Sequence, residues 1–126
     1  MGCDRTSVWY WGEHGADDGS GYIVRRIGDS GKTGTDIDIP GNMSPQVDWG
    51  KGSRKATREL TAIALLADAF DGDVTRARAI ADRFAKAVIA RLPFMYFECS
   101  RDDVLTMAAD IERGQTPTLR CWTIRI

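Results

Sequence analysis

Four cations crowd one short stretch of this chain. Lys51, Arg54, Lys55 and Arg58 surround Gly50 and Gly52, where an Ala- and Leu-rich helix is expected to begin. Positive side chains in a first helical turn oppose the helix dipole, and Arg54 and Arg58, four apart, also repel. Each effect costs roughly a few tenths of a kcal/mol. Charge gathered against a helix's own dipole is what an anion-binding start would look like. The bland alternative is neutralisation by Asp48 and other carboxylates of the same chain. Arg76 and Arg83, on the helix that follows, extend the candidate anion- or partner-binding set. Trp9 and Trp11 form a second candidate surface: exposed, they would serve stacking or partner binding, and buried they would simply cover a sheet face.

Other chemistries fail on spacing. Gly31-Lys32-Thr33 has the end of a phosphate-binding loop, but that pattern needs a glycine where Arg26 stands and a helix after Thr33. His14, the single histidine, falls in a Gly-rich stretch, 12–21, that reads as a polar, exposed and mobile loop. Using it as a base would require an orienting carboxylate and a nucleophile, and neither can be assigned, although Asp17 and Asp18 lie nearby. Asp102 and Asp103 sit in the first turn of an expected helix, where carboxylates complement the dipole. Asp68, Asp71 and Asp73 do not follow a calcium-loop pattern and read as capping residues. Cys3, Cys99 and Cys121 are widely spaced, with no Cys-x-x-Cys pair. They suggest neither zinc nor a disulfide framework but reduced thiols in a cytoplasmic compartment. No catalytic residue, metal site or cofactor is expected.

The chain that must position these groups has 126 residues, 43% hydrophobic and 28% charged, the composition of one globular domain. No apolar run approaches the ~20 residues of a membrane span, and the first residues lack the basic and apolar regions of a signal peptide. The net charge of −1 hides an asymmetry. Residues 1–50 carry 4 basic and 8 acidic side chains, residues 51–91 carry 9 and 5, and residues 92–126 carry 4 and 5. A protein that binds nucleic acid by neutralising its backbone is usually basic throughout. This one can present at most a basic patch.

Three parts are expected. Residues 1–46 read as strand-rich, with strands over 5–11, 21–27 and 35–39 and inward Ile37 and Ile39. Residues 47–114 read as helical. The first helix should run from Arg54 to Ala69, capped by Ser53, with Leu60, Ile63, Ala64, Ala67 and Phe70 on its buried face. Asp71-Gly72-Asp73 should close a helical hairpin, Gly72 ending one helix and Asp73 capping the next. The second helix has Ala77, Ile80, Ala81, Phe84, Val88 and Leu92 as its stripe, and Pro93 stops it. After a short extended stretch over 94–98, Ser100 should cap a third helix that ends at Gly114. Residues 118–125 alternate as a last strand, able to return and join the sheet. The fold class is α+β: a small antiparallel sheet packed on three helices.

Several of these residues also carry a resemblance. Asp48-Trp49-Gly50-Lys51-Gly52-Ser53, the Leu/Ala-rich run from Leu60 to Asp68, and Ala79 to Pro93 resemble an uncharacterised family of small prokaryotic and viral domains. That family shows a Trp-Gly-x-Gly turn before a Leu/Ala-rich helical hairpin, and the likeness covers roughly residues 44–112. Where the family has small residues and Pro, this chain has Arg54, Lys55 and Ala56. No activity is assigned to the family, so the resemblance implies only a gene carried on a prophage or other mobile element.

These readings favour a non-enzymatic binding protein. Its partner would be a protein or ribonucleoprotein complex in the host cytoplasm, which would make it an inhibitor of a host defence complex of the anti-CRISPR type. A nucleic-acid or nucleotide binder using the basic helix start is the alternative, and an enzyme with an unrecognised site around His14 is the second.

Overall fold

In the computed structural model of the protein, residues 8–14, 21–27, 35–37, 47–50, 52–93 and 96–120 are described. Lys51, Asp17, Asp18, Asp38, Ile39, the Gly-Lys-Thr segment, Cys3, Cys121 and most of the expected last strand lie outside them.

Among the described residues four strands form one antiparallel sheet in the order β3-β2-β1-β4. Strand β1 spans Val8–His14, β2 Gly21–Ile27, β3 Thr35–Asp36 and β4 Tyr96–Ser100. Three helices follow the expected order: α1 Lys55–Ala69, α2 Val74–Ala87 and α3 Arg101–Glu112, with a 3-10 turn over Ile89–Arg91. The class is α+β, as the composition and order of elements implied. The fourth strand is β4, paired with β1 and overlapping the extended stretch expected over 94–98; of the expected last strand only residues 118–120 are described, and they are not in a strand.

Alternation decides which sheet face is buried. Tyr10, Gly12 and His14 point to the helices, joined by Ile23, Phe97 and Cys99 from the neighbouring strands. Trp9 and Trp11 share the opposite face and are half-buried; Trp11 meets Tyr96 edge to face at 5.1 Å. Gly12 is required where β1 crosses Phe97, since a Cβ there would lie 2.0 Å from the ring. Sheet and helices are also tied by charge. Asp68 of α1 accepts from the Tyr10 hydroxyl at 2.6 Å and from Arg25 Nη1 at 2.7 Å. Burial first, and then this bond, push the pKa of the Tyr10 hydroxyl far above its ordinary value, so it holds its proton more tightly.

Helix α1 is covered almost all round, with Thr61 to Ala67 buried without a break. A single stripe therefore describes it poorly, and Leu60, expected inside, is 38% exposed. It lies in the wet second turn, before α1 passes under its neighbours. Gly72, at φ 91°, turns the chain into α2, and Asp73 accepts from the Arg76 N–H as its cap. The stripe Ala77, Ile80, Ala81, Phe84 and Val88 is buried as the spacing required. The α-helix, however, ends at Ala87, and buried Leu92 is reached through the 3-10 turn. Ser100 caps α3 by accepting from Asp103 N–H, and Gly114 closes it at φ 80°.

Two further expectations are corrected. Cys99 is disulfide-bonded, so it is not a reduced thiol. His14 ends a strand paired on one side with β2, its side chain 2% exposed. Pairing with a neighbour overrides a Gly-rich composition, because each strand residue gains ladder bonds that a loop lacks.

Candidate functional site

The turn before α1 is held from three directions. The Trp49 ring is fully buried between His14, 4.3 Å away between centroids, and Phe97, 5.0 Å away. Its indole N–H donates to Pro93 O at 2.9 Å, and the Gly50 N–H donates to Ile89 O at 3.0 Å. Both acceptors follow α2, so the start of α1 is tied to the region after α2's end. Thr61 secures the other side: its hydroxyl accepts from Asp48 N–H at 2.9 Å and lies 2.9 Å from Asp48 O and 2.8 Å from Thr57 O.

Asp48 was the nearest candidate to neutralise the cationic turn. It is turned away. Its Oδ1 lies 2.6 Å from His14 Nε2 and accepts from Trp49 N–H at 2.8 Å. Ser53 does not cap the helix either, because its hydroxyl donates to Gly50 O at 2.6 Å. The capping position belongs to Arg54, in extended backbone and with no side-chain bond to the helix. Arg58 Nη1 donates to the Ser53 carbonyl. Among the described residues Arg54, Lys55 and Arg58 make no ion pair, and Arg54 and Lys55 are exposed.

The hairpin brings further charge to the same end. Because α1 and α2 run antiparallel, the first turn of α1 lies beside the last turns of α2. Lys55, Arg58 and Lys86, with Glu59 and Asp82, line one small cleft of about 80 Å³. Lys86 also borders a larger cavity with Arg83 and Arg91. The signal for Lys86 and Arg91 in the sequence was the hairpin itself, which predicts that the two helix ends meet.

The expected set is thus only partly assembled. Arg76 stands near the far end of α2, some 15 Å from Lys86 at the helical rise per residue. It is already engaged: Glu112 accepts from its Nε at 2.9 Å and from Nη2 at 2.8 Å, and its guanidinium lies over the Phe70 ring at 4.0 Å. That hydrogen bond raises the pKa of Arg76 and lowers that of Glu112, each group's charged form being favoured by the other. Arg83 Nη1 donates to Ile111 O at 3.0 Å. Trp9 and Trp11 lie on the sheet face away from the helices, so they and the basic end do not form one surface. The enzyme alternative has one described member, His14, which is buried against Asp48 and Trp49 where a general base must reach its substrate. Among the described residues no three His, Cys, Asp or Glu side chains could share a metal ion, and no described helix is long and apolar enough to cross a membrane. No family model, curated protein or solved structure matches the chain.

Proposed function

We propose that the protein works by binding, and that it docks an acidic surface of a macromolecular partner through the α1 start and α2 end. One observation carries the reading. Asp48, the carboxylate best placed in sequence to neutralise Arg54 and Lys55, is committed to His14 and Trp49 N–H, and these two exposed cations make no ion pair among the described residues, although Glu59 and Asp82 share a cleft with Lys55. Charged patches of this kind steer encounters and fix orientation more than they add affinity.

The partner we infer is a protein or ribonucleoprotein complex of a bacterial host, met in the cytoplasm. Inhibition of a CRISPR-type defence complex is the narrowest form of that proposal, supported by the small size and the resemblance to mobile-element domains. Cytoplasmic glutathione keeps most thiols reduced, so the Cys99 bond must resist that pool, which thiol titration in glutathione buffer reports.

The test is charge reversal at Arg54 and Lys55, which make no ion pair among the described residues. Immobilised wild-type protein and the Arg54→Glu/Lys55→Glu variant are challenged with bacterial lysate, with and without nuclease, at matched salt. Retention of a protein by the wild type alone, with the variant's melting temperature no lower than the wild type's, is expected. Equal retention by both overturns the proposal. Retention that nuclease abolishes replaces it with nucleic-acid binding, for which affinity must fall steeply with salt.

A further inference from the structure

A cavity of about 470 Å³ opens between the last turn of α2, the 3-10 turn and the segment after α3. That volume suits a small organic ligand, since such sites run to roughly 300–1,000 Å³. Its lining divides by chemistry. Ala87, Ile111 and Pro117 give apolar walls, while Arg83, Lys86 and Arg91 bring three cations. No carboxylate lines it among the described residues.

The cations have a structural duty as well. Two helices end here, each with roughly half a negative charge from its unpaired carbonyls. Lys86 sits in α2's last turn, Arg83 Nη1 donates to Ile111 O, and Arg91 Nη1 lies 3.5 Å from Ala87 O. Two half-charges offset about one of the three cations. A guanidinium has five N–H donors, and Arg83 and Arg91 each spend one on protein acceptors among those described. The positive charge at the cavity therefore exceeds what the helix ends require.

We propose that this cavity binds a small organic phosphate. The phosphate rests against Arg83, Lys86 and Arg91, and the body of the molecule lies on Ile111, Ala87 and Pro117. A phosphate dianion matches the surplus charge better than a carboxylate monoanion, and guanidinium groups meet its oxygens two at a time. The Thr116 hydroxyl and Gln115 amide, both at the rim, add directional hydrogen bonds to the ligand body. This proposal is separable from the docking surface: Lys86 borders both, but Arg83 and Arg91 line the cavity alone and Arg54 and Lys55 belong to the α1 start.

Calorimetric titration of the full chain with adenosine monophosphate, glucose 6-phosphate, inorganic phosphate and acetate, at constant ionic strength, tests it. The two organic phosphates should bind more tightly than inorganic phosphate, and acetate weakest. Arg91→Gln and Lys86→Gln, whose side chains carry little of the fold, should each lower organic-phosphate affinity at least tenfold with the melting temperature unchanged. Arg54→Glu/Lys55→Glu should leave it within twofold. No heat from either organic phosphate at millimolar concentration overturns the proposal, as does binding that survives both Gln variants. Equal affinity for acetate and phosphate overturns it too, leaving a nonspecific basic surface.

Discussion

Removing Asp68 should expose how much the fold depends on one half-buried carboxylate. Asp68 is the acceptor for two donors from different strands, the Tyr10 hydroxyl at 2.6 Å and Arg25 Nη1 at 2.7 Å. The donors are unequally placed: Tyr10 is fully buried, whereas the Arg25 side chain is 38% exposed. In Asp68→Ala the Arg25 guanidinium can turn to water, so its loss is worth at most about 1 kcal/mol. The Tyr10 hydroxyl cannot, and an orphaned buried hydroxyl costs about 1–3 kcal/mol. The variant should therefore lose about 1–4 kcal/mol by urea denaturation. Tyr10→Phe leaves Asp68 with Arg25 and should cost about 1–2 kcal/mol. Once the hydroxyl is gone nothing is orphaned, so the double variant should fall short of the sum by at least 1 kcal/mol. Additivity within about 0.5 kcal/mol would refute the bridging role. A pH series adds a second reading. The folded Tyr10 keeps its proton above pH 10, where an unfolded tyrosine loses it. The native state then holds more protons than the unfolded one, so stability falls as pH rises past 10, by up to about 1.4 kcal/mol per unit. Tyr10→Phe should flatten that decline.

Three further outcomes are expected. Gly12→Ala should cost about 1–3 kcal/mol, because the new methyl enters the space of the fully buried Phe97 ring; a denaturation midpoint equal to wild type would contradict the close approach. Leu60→Gln, at a position 38% exposed, should change stability by less than about 0.5 kcal/mol in the same assay. Arg54→Asp supplies the missing cap and removes a cation from the first turn, so it should raise stability by about 0.5–1.5 kcal/mol while weakening capture of the proposed acidic partner; a lower melting temperature would show that Arg54 holds the turn.

What the chain discloses by itself is local. Asp73, Gly72, Ser100 and Gly114 each act within one helical turn of their own position, and each does what its residue type and neighbours imply. Apart from Ser53, whose hydroxyl turns back to Gly50 O, and the exposed Leu60, the misreadings have distant causes. Thr61 is buried because its hydroxyl meets the backbone of Asp48, 13 residues away, which no helical stripe records. Gly12 looks like loop punctuation, yet it serves Phe97 on the next strand. Arg76 looks like one more free cation until Glu112, 36 residues on, forms a forked pair with it. Residues 96–100 likewise owe their strand to pairing with β1, far away in the chain. For the candidate site, the cations of the α1 start were legible. Lys86 joins them only through the antiparallel return of α2, which the hairpin residues Asp71-Gly72-Asp73 announce.

The three helix starts supply a control within the molecule. At α2, Asp73 accepts from an N–H one turn in; at α3, Ser100 does so and Asp102 and Asp103 occupy the first turn. Helix α1 has no side-chain cap and no acid in its first turn. A missing cap costs about 1 kcal/mol, and each misplaced cation some tenths more. The fold tolerates this because Ile63, Leu65 and Leu66 are buried, each contributing about 1.5–3 kcal/mol. Tolerance does not account for the cations, however, since neutral residues there would leave the same burial and remove the conflict. An acidic surface arriving from outside would relieve it, because the charge on Arg54 and Lys55 and the exposed N–H groups of the first turn attract the same anion. A partner bound as proposed would stabilise the folded state through mass action, and added salt would erode the effect by screening the exposed charges.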